Sequence, residues 1–443
     1  MGWRVEFRRE GAHDRQVAAV RAGALASLSQ ADRSPGSVDR PRADCRRAQT
    51  GHSYQETFVG PLAGVRIVEL AGIGPAPFCA MLLADLGATI IRVDRKEPSG
   101  LGLSRPLQFD LVLRNRKSIQ VDLKDPAELE LVRTLIDKAD ALIEGFRPGV
   151  TERLGLGPDA CLARNPRLVY GRLTGWGQDG PLAQTAGHDI NYIAITGLLN
   201  AIGREGEPPT VPLNVVGDYA GGSVYAALGI VSAILEARTS GKGQVVDAAI
   251  VDGVASLLTV HTGLRAAGLT GSERGTNLLD SGAPFYDVYE CADGKYISIG
   301  PIEAKFYQQL LERLELDPSA LGKQADRADW PAARRLFAAQ FKTRTRAQWT
   351  ALLEGSDVCF APVLDQEEAF EHPHLKARGT FVEVDGVMQP RPAPRFSRTR
   401  AADPVPPAAA TPENAALALA EWLTREELAN LAAAGRIQNG ATQ

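Results

Sequence analysis

Methionine is scarce in this 443-residue sequence: Met1, Met81 and Met388 are the whole supply. Three methionines cannot line a broad, adaptable apolar surface, so an apolar ligand must rest on Ala, Leu, Val and aromatic side chains. The five cysteines (Cys45, Cys79, Cys161, Cys291 and Cys359) are scattered, odd in number and without CxxC spacing. That excludes a disulfide framework and a zinc ribbon, and it suits a reducing, cytoplasmic setting. Histidine is sparse too. Of His13, His52, His188, His261, His372 and His374 only the last two lie close together, separated by Pro373, so no metal motif emerges and no metal is expected. Long hydrophobic runs are missing: the most apolar helical run, residues 224–235, carries Ser232 and reads as too short to span a bilayer. With 49 basic against 53 acidic residues, bulk charge gives no general pull toward nucleic acid or anionic membrane, and neither partner is expected.

A chain of this length with 44% hydrophobic residues can bury a large core, and two domains are expected. Residues 1–58 differ from the rest. They are Arg-rich, lack apolar periodicity and read as a disordered extension; Asp14, Asp32, Asp39 and Asp44 count against a transit peptide, and the apolar core of a secretory signal is missing.

VRIVEL (residues 65–70) is a short run rich in β-branched residues, as a buried parallel strand requires, and AGIGPAP follows it. A helix over 78–86 stops at Gly87 before the strand ATIIRVD (88–94), which makes a β-α-β unit. SIQVDL, DALIEGF and LVYGRLTG read as further strands, with a helix over 126–138, so the first domain is α/β with a parallel sheet. A small-residue-rich helix is expected over 221–237. PFYDVYECADGKYISIG reads as a hairpin turning at Ala292-Asp293-Gly294, which opens a second domain with helices near 305–314, 330–340 and 346–354. DPVPPAAATPE is a linker, and TPEN and TREE start two terminal helices.

Each candidate site competes with a plainer reading. Gly72-Ile73-Gly74-Pro75-Ala76-Pro77, with Asp94 about twenty residues on, superficially resembles a dinucleotide fingerprint, but Pro77 stands where the third Gly belongs and Arg95 follows the acid. LRNRKS and FRPGVTERLG place Arg114, Arg116, Arg147 and Arg153 near strand ends, where arginine forks can grip a polyphosphate; solvated surface charge is the alternative. In AGHDINYIAITG, Asp189 is a good helix cap with His188 in the preceding turn. LNVVGDYAGG puts Asp218 before a glycine-rich turn that lets backbone approach a ligand closely, and helix capping explains it equally well. Glu303, in GPIEAKFY, sits in a first helical turn where carboxylates are favoured anyway.

Taken together, GPLAGVRIVELAGIGPAPFCAMLLADLGATIIRVDR, LRNRKSIQVDLK, ALIEGFRPGVTERLGLGP, TGWGQDGP, AGHDINYIAITG, VGDYAGG, GKGQVVDAAIVDG and YECADGKYISIGPIEAKFY closely resemble the α-methylacyl-CoA racemases, within the family III CoA-transferase superfamily. The likeness runs in order from about Gly60 to about Arg400. It implies a homodimer of interlocked rings, each with a large Rossmann-like parallel-sheet domain (59–245 and 390–443), linker helices (246–282), a smaller α+β domain (283–375) and a returning linker (376–389). It implies racemisation of a 2-methylacyl-CoA by 1,1-proton transfer, with no cofactor beyond the CoA moiety of the substrate. By resemblance, His188 and Asp218 are the acid/base pair flanking the α-carbon and Glu303 orients the imidazole, in cis or across the dimer. Asp189 contributes its backbone N–H to the oxyanion site. The CoA positions are Ile73, Arg95 and Arg153, with Arg114 and Arg116 as weaker assignments, and a segment over 101–110 longer than the family pattern leads one to expect could alter that rim.

Inversion needs one group to remove the α-proton and another to deliver a proton to the opposite face, while N–H donors stabilise the enolate oxygen. Three alternatives stand beside this: a CoA-transferase using Asp189 as nucleophile, a catalytically silent CoA-binding protein, and a dinucleotide oxidoreductase. The acyl group, whether branched fatty, sterol side chain or arylpropionyl, is not distinguished.

Overall fold

The computed structural model describes residues 60–97, 100 and 102–433, so the expectations for residues 1–58 lie outside the described residues. Strand β1 (Arg66–Leu70) leads through the glycine loop into α1 (Pro75–Asp85) and then β2 (Thr89–Asp94). The helix starts three residues before the expected 78, because Pro75 and Pro77 fall in the first turn, where the missing N–H of proline has no intrahelical partner to lose. Two short 3₁₀ turns, Leu107–Phe109 and Leu111–Leu113, precede β3 (Lys117–Gln120), and α2 (Pro126–Asp137), capped by the Asp125 carboxylate, leads to β4 (Ala141–Glu144). Helices α3 (Val150–Arg153) and α4 (Pro158–Arg164) follow, then β5 (Val169–Thr174), α5 (Asp189–Ile195) and α6 (Leu198–Ala201).

A π-helical segment, Val215–Val224, runs directly into α7 (Tyr225–Ser240), and β6 (Val245–Ala249) completes the sheet. All six strands are parallel, in the order β3-β2-β1-β4-β5-β6. The order of strand addition therefore reverses between β1 and β4, and the crevice outside the carboxyl ends of these two strands is where open α/β sheets bind ligands.

The helix over 215–240 differs from the expectation. It begins six residues before the expected 221, and at 26 residues it is long and apolar enough to cross a membrane by length and composition, whereas the apolar run at 224–235 read as too short. It packs instead on β5 and β6: Ala226, Ile230, Ala233, Ile234 and Ala237 are buried, while Val224, Leu228, Val231 and Leu235 form an exposed stripe.

Helices α8 (Ile250–Leu257) and α9 (Thr259–Ala266) follow β6, and Ile250 and Val254 of α8 pack with Tyr192 and Ile193 of α5 in a small core of their own. The expected hairpin forms as β7 (Asp287–Glu290) and β8 (Tyr296–Ile299), with Gly294 in the left-handed region. Helices α10 (Ala304–Leu314), α11 (Pro318–Leu321), α12 (Trp330–Phe341) and α13 (Arg346–Leu353) come before β9 (Phe360–Pro362), which pairs with β8. Aromatic side chains dominate this second core: Phe285, Tyr289, Tyr307, Phe337, Phe341 and Trp349. After α14 (Gln366–Glu371) and α15 (Pro373–Arg378), the hairpin β10 (Phe381–Val384) and β11 (Val387–Pro390) carries the chain back to the parallel sheet. There α16 (Pro412–Ala420) lies on β3, and α16 and α17 (Arg425–Ala433) place Leu419, Trp422 and Leu428 in one core with Val68, Ile91 and Leu142.

Candidate functional site

The carboxyl edge of the sheet gathers the glycine loop, the start of α5 and the π-helical segment. His188 is the N-cap of α5, extended in backbone and exposed, and its N–H donates to Asn191 Oδ1 at 3.0 Å. Behind it, Tyr192 donates its hydroxyl to the Gly187 carbonyl and stands edge-on to Trp176, with ring centroids 4.7 Å apart, so the turn that carries His188 is braced from below.

Asp189 faces inward and is only 6% exposed. Its Oδ2 accepts the backbone N–H of Asp218 at 2.6 Å, and the Gly217 N–H bonds the same carboxylate. Burial holds the Asp189 carboxyl above its ordinary pKa, against these two N–H groups. Position 217 admits only glycine here, because a Cβ would lie 2.2 Å from Asp189 Oδ2.

The Asp218 carboxylate reaches the glycine loop: a Cβ on Gly74 would stand 3.9 Å from Asp218 Oδ2. Burial raises the Asp218 pKa; a hydrogen bond from Asn214 at 3.2 Å opposes this, the Asp189 charge adds to it and the nearby His188 opposes it. His188 and Asp218 are thus within electrostatic reach of each other, and Tyr219 next door is stacked on Phe78 of α1 at 4.4 Å. A carboxylate whose proton affinity is lifted toward that of imidazole is what a two-base proton transfer needs.

The structure does not bring Glu303 into this group within one chain. Glu303 is the exposed N-cap of α10 beside the aromatic core, where burial and then the Glu303 charge raise the Cys359 pKa, and among the described residues no hydrogen bond or ion pair joins it to His188. Ile73 is exposed on the glycine loop, and the 101–110 segment begins over it, since a Cβ on Gly102 would lie 3.6 Å from Ile73 Cγ2. Arg95 follows β2 and Arg153 ends α3; both are exposed at the carboxyl edge and make no ion pair among the described residues.

Arg114 is placed elsewhere. It is 2% exposed, and its guanidinium forks onto Asp85 at 3.1 and 2.6 Å while also donating to Gln389 Oε1 and the Pro390 carbonyl. It precedes β3, so it lies toward the amino edge of the parallel sheet, where it fastens the returning hairpin to α1 rather than facing a ligand. Arg116 is likewise buried, donating to Glu69 Oε2 at 2.6 Å and to the Pro77 carbonyl at 3.0 Å.

Two further residues stand at the site: Arg147, a polyphosphate candidate by its place near a strand end but absent from the family's CoA positions, and Tyr192. Arg147, three residues after β4, is exposed and near enough to Tyr192 to oppose the rise that burial gives its pKa; its place in GFRPGV lies at the switch between β1 and β4. Tyr192 itself carried no signal beyond a place in an apolar helix.

The CoA-transferase family III model matches residues 62–414. The chain is 44% identical over 342 residues to the alpha-methylacyl-CoA racemase of Mus musculus, covering 77% of this chain and 87% of that protein, and 44% identical over 341 residues to its Homo sapiens counterpart, with the same coverage. It is 33% identical over 342 residues to the succinyl-CoA–D-citramalate CoA-transferase of Chloroflexus aurantiacus, covering 73% and 83%. Among solved structures, a CAIB/BAIF family protein from Brucella suis superimposes with a TM-score of 0.71 at 27% identity, covering 82% of this chain and all of the other. The six-stranded parallel sheet and these likenesses agree: the chain belongs to CoA-transferase family III.

Proposed function

We propose that this chain is a racemase that interconverts (R)- and (S)-2-methylacyl-CoA thioesters by 1,1-proton transfer through an enolate. The observation that carries this reading is the pairing of an exposed His188 with Asp218, whose pKa is raised, at the mouth of the sheet crevice. One of the two removes the α-proton and the other returns a proton to the opposite face, and the backbone N–H groups at the start of α5 stabilise the oxyanion. Ile73, Arg95, Arg153 and Arg147 line the edge that would take the CoA moiety, which is the only cofactor the reading requires.

The transferase alternative needs the Asp189 carboxylate free to attack a thioester. Asp189 is 6% exposed and its carboxylate accepts the backbone N–H groups of Asp218 and Gly217, which ties it to the Asp218 turn and favours a role in fixing that turn. Glu303 fits a homodimer in which it meets His188 of a second subunit. Its exposure and the apolar stripe Val224, Leu228, Val231 and Leu235 on α7 support that arrangement, and the scattered thiols suit a cytoplasmic protein.

The test is incubation of an (R)- or an (S)-2-methylacyl-CoA in D₂O without an acceptor acid. Deuterium should enter C2 as the mixture approaches racemic, and His188→Ala and Asp218→Ala should each lower the rate by about 10²–10⁴-fold. Hydroxylamine trapping of an activated Asp189 carboxyl, with no C2 deuteration across a substrate panel, would replace the racemase with a transferase.

A further inference from the structure

Beneath the loop that joins β4 to α3 lies a chain of charged groups with no part in proton transfer. Glu144, the last residue of β4, is fully buried, and its Oε2 accepts the Phe146 N–H at 2.7 Å, closing the turn Gly145-Phe146-Arg147 from below. Its Oε1 accepts Arg172 Nε at 2.9 Å. The same guanidinium reaches forward from β5 to Glu152 in α3, at 2.8 Å from Nη1 and 3.4 Å from Nη2. Glu152 is the neighbour of Arg153. The short helix that carries both begins at Gly149, whose left-handed backbone lets Arg153 fold close: a Cβ at 149 would stand 3.1 Å from Arg153 Nη1.

The charges divide in a telling way. Glu152 is the carboxylate nearest Arg153 in sequence, yet it is taken by Arg172, which leaves Arg147 and Arg153 without ion pairs among the described residues. A planar fork shared between two carboxylates fixes distance and angle, where a lysine would fix neither. Arg172 thus spans the start and the end of the segment that bears both exposed arginines.

We propose that Arg172 is a positioning residue for coenzyme binding: by bridging Glu144 under the Arg147 turn and Glu152 beside Arg153, it sets the spacing of two cations that grip the phosphates of the CoA moiety. The inference rests on the reading that this edge takes CoA. Alignment of charged donors on a phosphate contributes directional hydrogen bonds as well as attraction, so a shift of about 1 Å in one arginine weakens binding without touching the acid/base pair.

The experiment uses Glu152→Gln, an exposed position that leaves the buried Glu144–Arg172 pair intact, with Arg172→Lys as the second variant and Arg153→Ala as the control. Racemisation of a 2-methylacyl-CoA is compared with that of the same acyl group on pantetheine, which lacks the nucleotide phosphates, and free CoA affinity is measured by calorimetry. Both relay variants should weaken free CoA binding and raise KM for the CoA ester about tenfold, equivalent to ~1.4 kcal/mol, with kcat within about twofold and pantetheine ester turnover unchanged. A loss shared equally by the two esters would reduce Arg172 to an ordinary structural residue. If Arg153→Ala weakens CoA and the relay variants do not, the relay alone is overturned. If Arg153→Ala leaves CoA binding untouched, the phosphates lie elsewhere and the proposal falls with the parent reading.

Discussion

The carboxylate of Asp189 accepts the backbone N–H of Asp218 at 2.6 Å across a glycine that leaves no room for a side chain. Two acids that are adjacent in space therefore have unequal tasks: one is buried and holds the turn, and the other is presented to the crevice. Asp189→Asn keeps an oxygen to accept the N–H but removes the charge. Burial is the first cause of the raised Asp218 pKa and the Asp189 charge adds to it, so its removal should lower the Asp218 pKa. The acid limb of the kcat/KM profile, where Asp218 must be ionised to act as base, should move to lower pH. A limb that stays in place would show the two carboxylates to be uncoupled. Asp189→Ala leaves buried N–H groups without an acceptor and should lower stability by about 1–3 kcal/mol.

Gly217→Ala tests the same turn by volume. The added methyl would meet Asp189 Oδ2 at 2.2 Å and Ile193 Cγ2 at 2.9 Å. Although alanine favours helices over glycine, the turn must move, and kcat should fall by about 10²-fold through misplacement of Asp218. An unchanged kcat would mean that this turn tolerates displacement.

Arg114 and Arg153 should separate cleanly. Arg114→Ala strands the buried Asp85 carboxylate and should destabilise the fold by about 3–5 kcal/mol in denaturant titration. Arg153→Ala, at an exposed position, should change stability by no more than about 0.5 kcal/mol while weakening CoA in a salt-dependent way. Equal behaviour of the two variants in either assay would contradict the division.

Sequence periodicity carried the local elements and lost the long-range partners. The runs around Ile67, Ile90 and Leu142 are apolar on both faces because helices cover both sides of a parallel sheet, so they announce themselves. Arg114 and Arg116 read like Arg153, since nothing local separates a guanidinium that faces a ligand from one that meets Asp85 or Glu69. The early start of the helix at Val215 was hidden because the run 213–216 reads as an apolar strand and Gly217 breaks a helix locally. What holds the segment is tertiary: Asp189 takes two of its N–H groups and α8 packs along it. The proposed acid/base pair, His188 and Asp218, came from the family pattern, while the bracing of His188 by Tyr192 depends on contacts that no spacing rule encodes.

A pH dependence of stability should come from Glu144. Burial lifts its pKa from 4.5 to about 6 in spite of the Phe146 N–H and Arg172. The folded state thus holds this proton more tightly than the unfolded chain does. The stability contributed by protonation is fully present below about pH 4.5 and is lost as pH rises through about 6, a change of up to about 2 kcal/mol. Glu144→Gln removes the titration, so the variant should gain on the wild type across that window in denaturant midpoints. A constant difference between about pH 4.5 and 6.5 would refute this.

The return of the chain to its first sheet has a consequence for synthesis. Leu419, Trp422, Leu423, Leu428 and Leu431 occupy the same core as Val68, Leu135 and Tyr170. At about 5–20 residues per second, the ribosome delivers β1 to β6 tens of seconds or so before the helices that close over them. During that interval the face that α2 and α4 cover only in part lacks Leu419, Trp422 and Leu428, and the nascent chain exposes apolar surface that chaperones must keep out of aggregates. A stop codon as late as position 411 would therefore remove the last two described helices and with them part of the core that closes the parallel sheet.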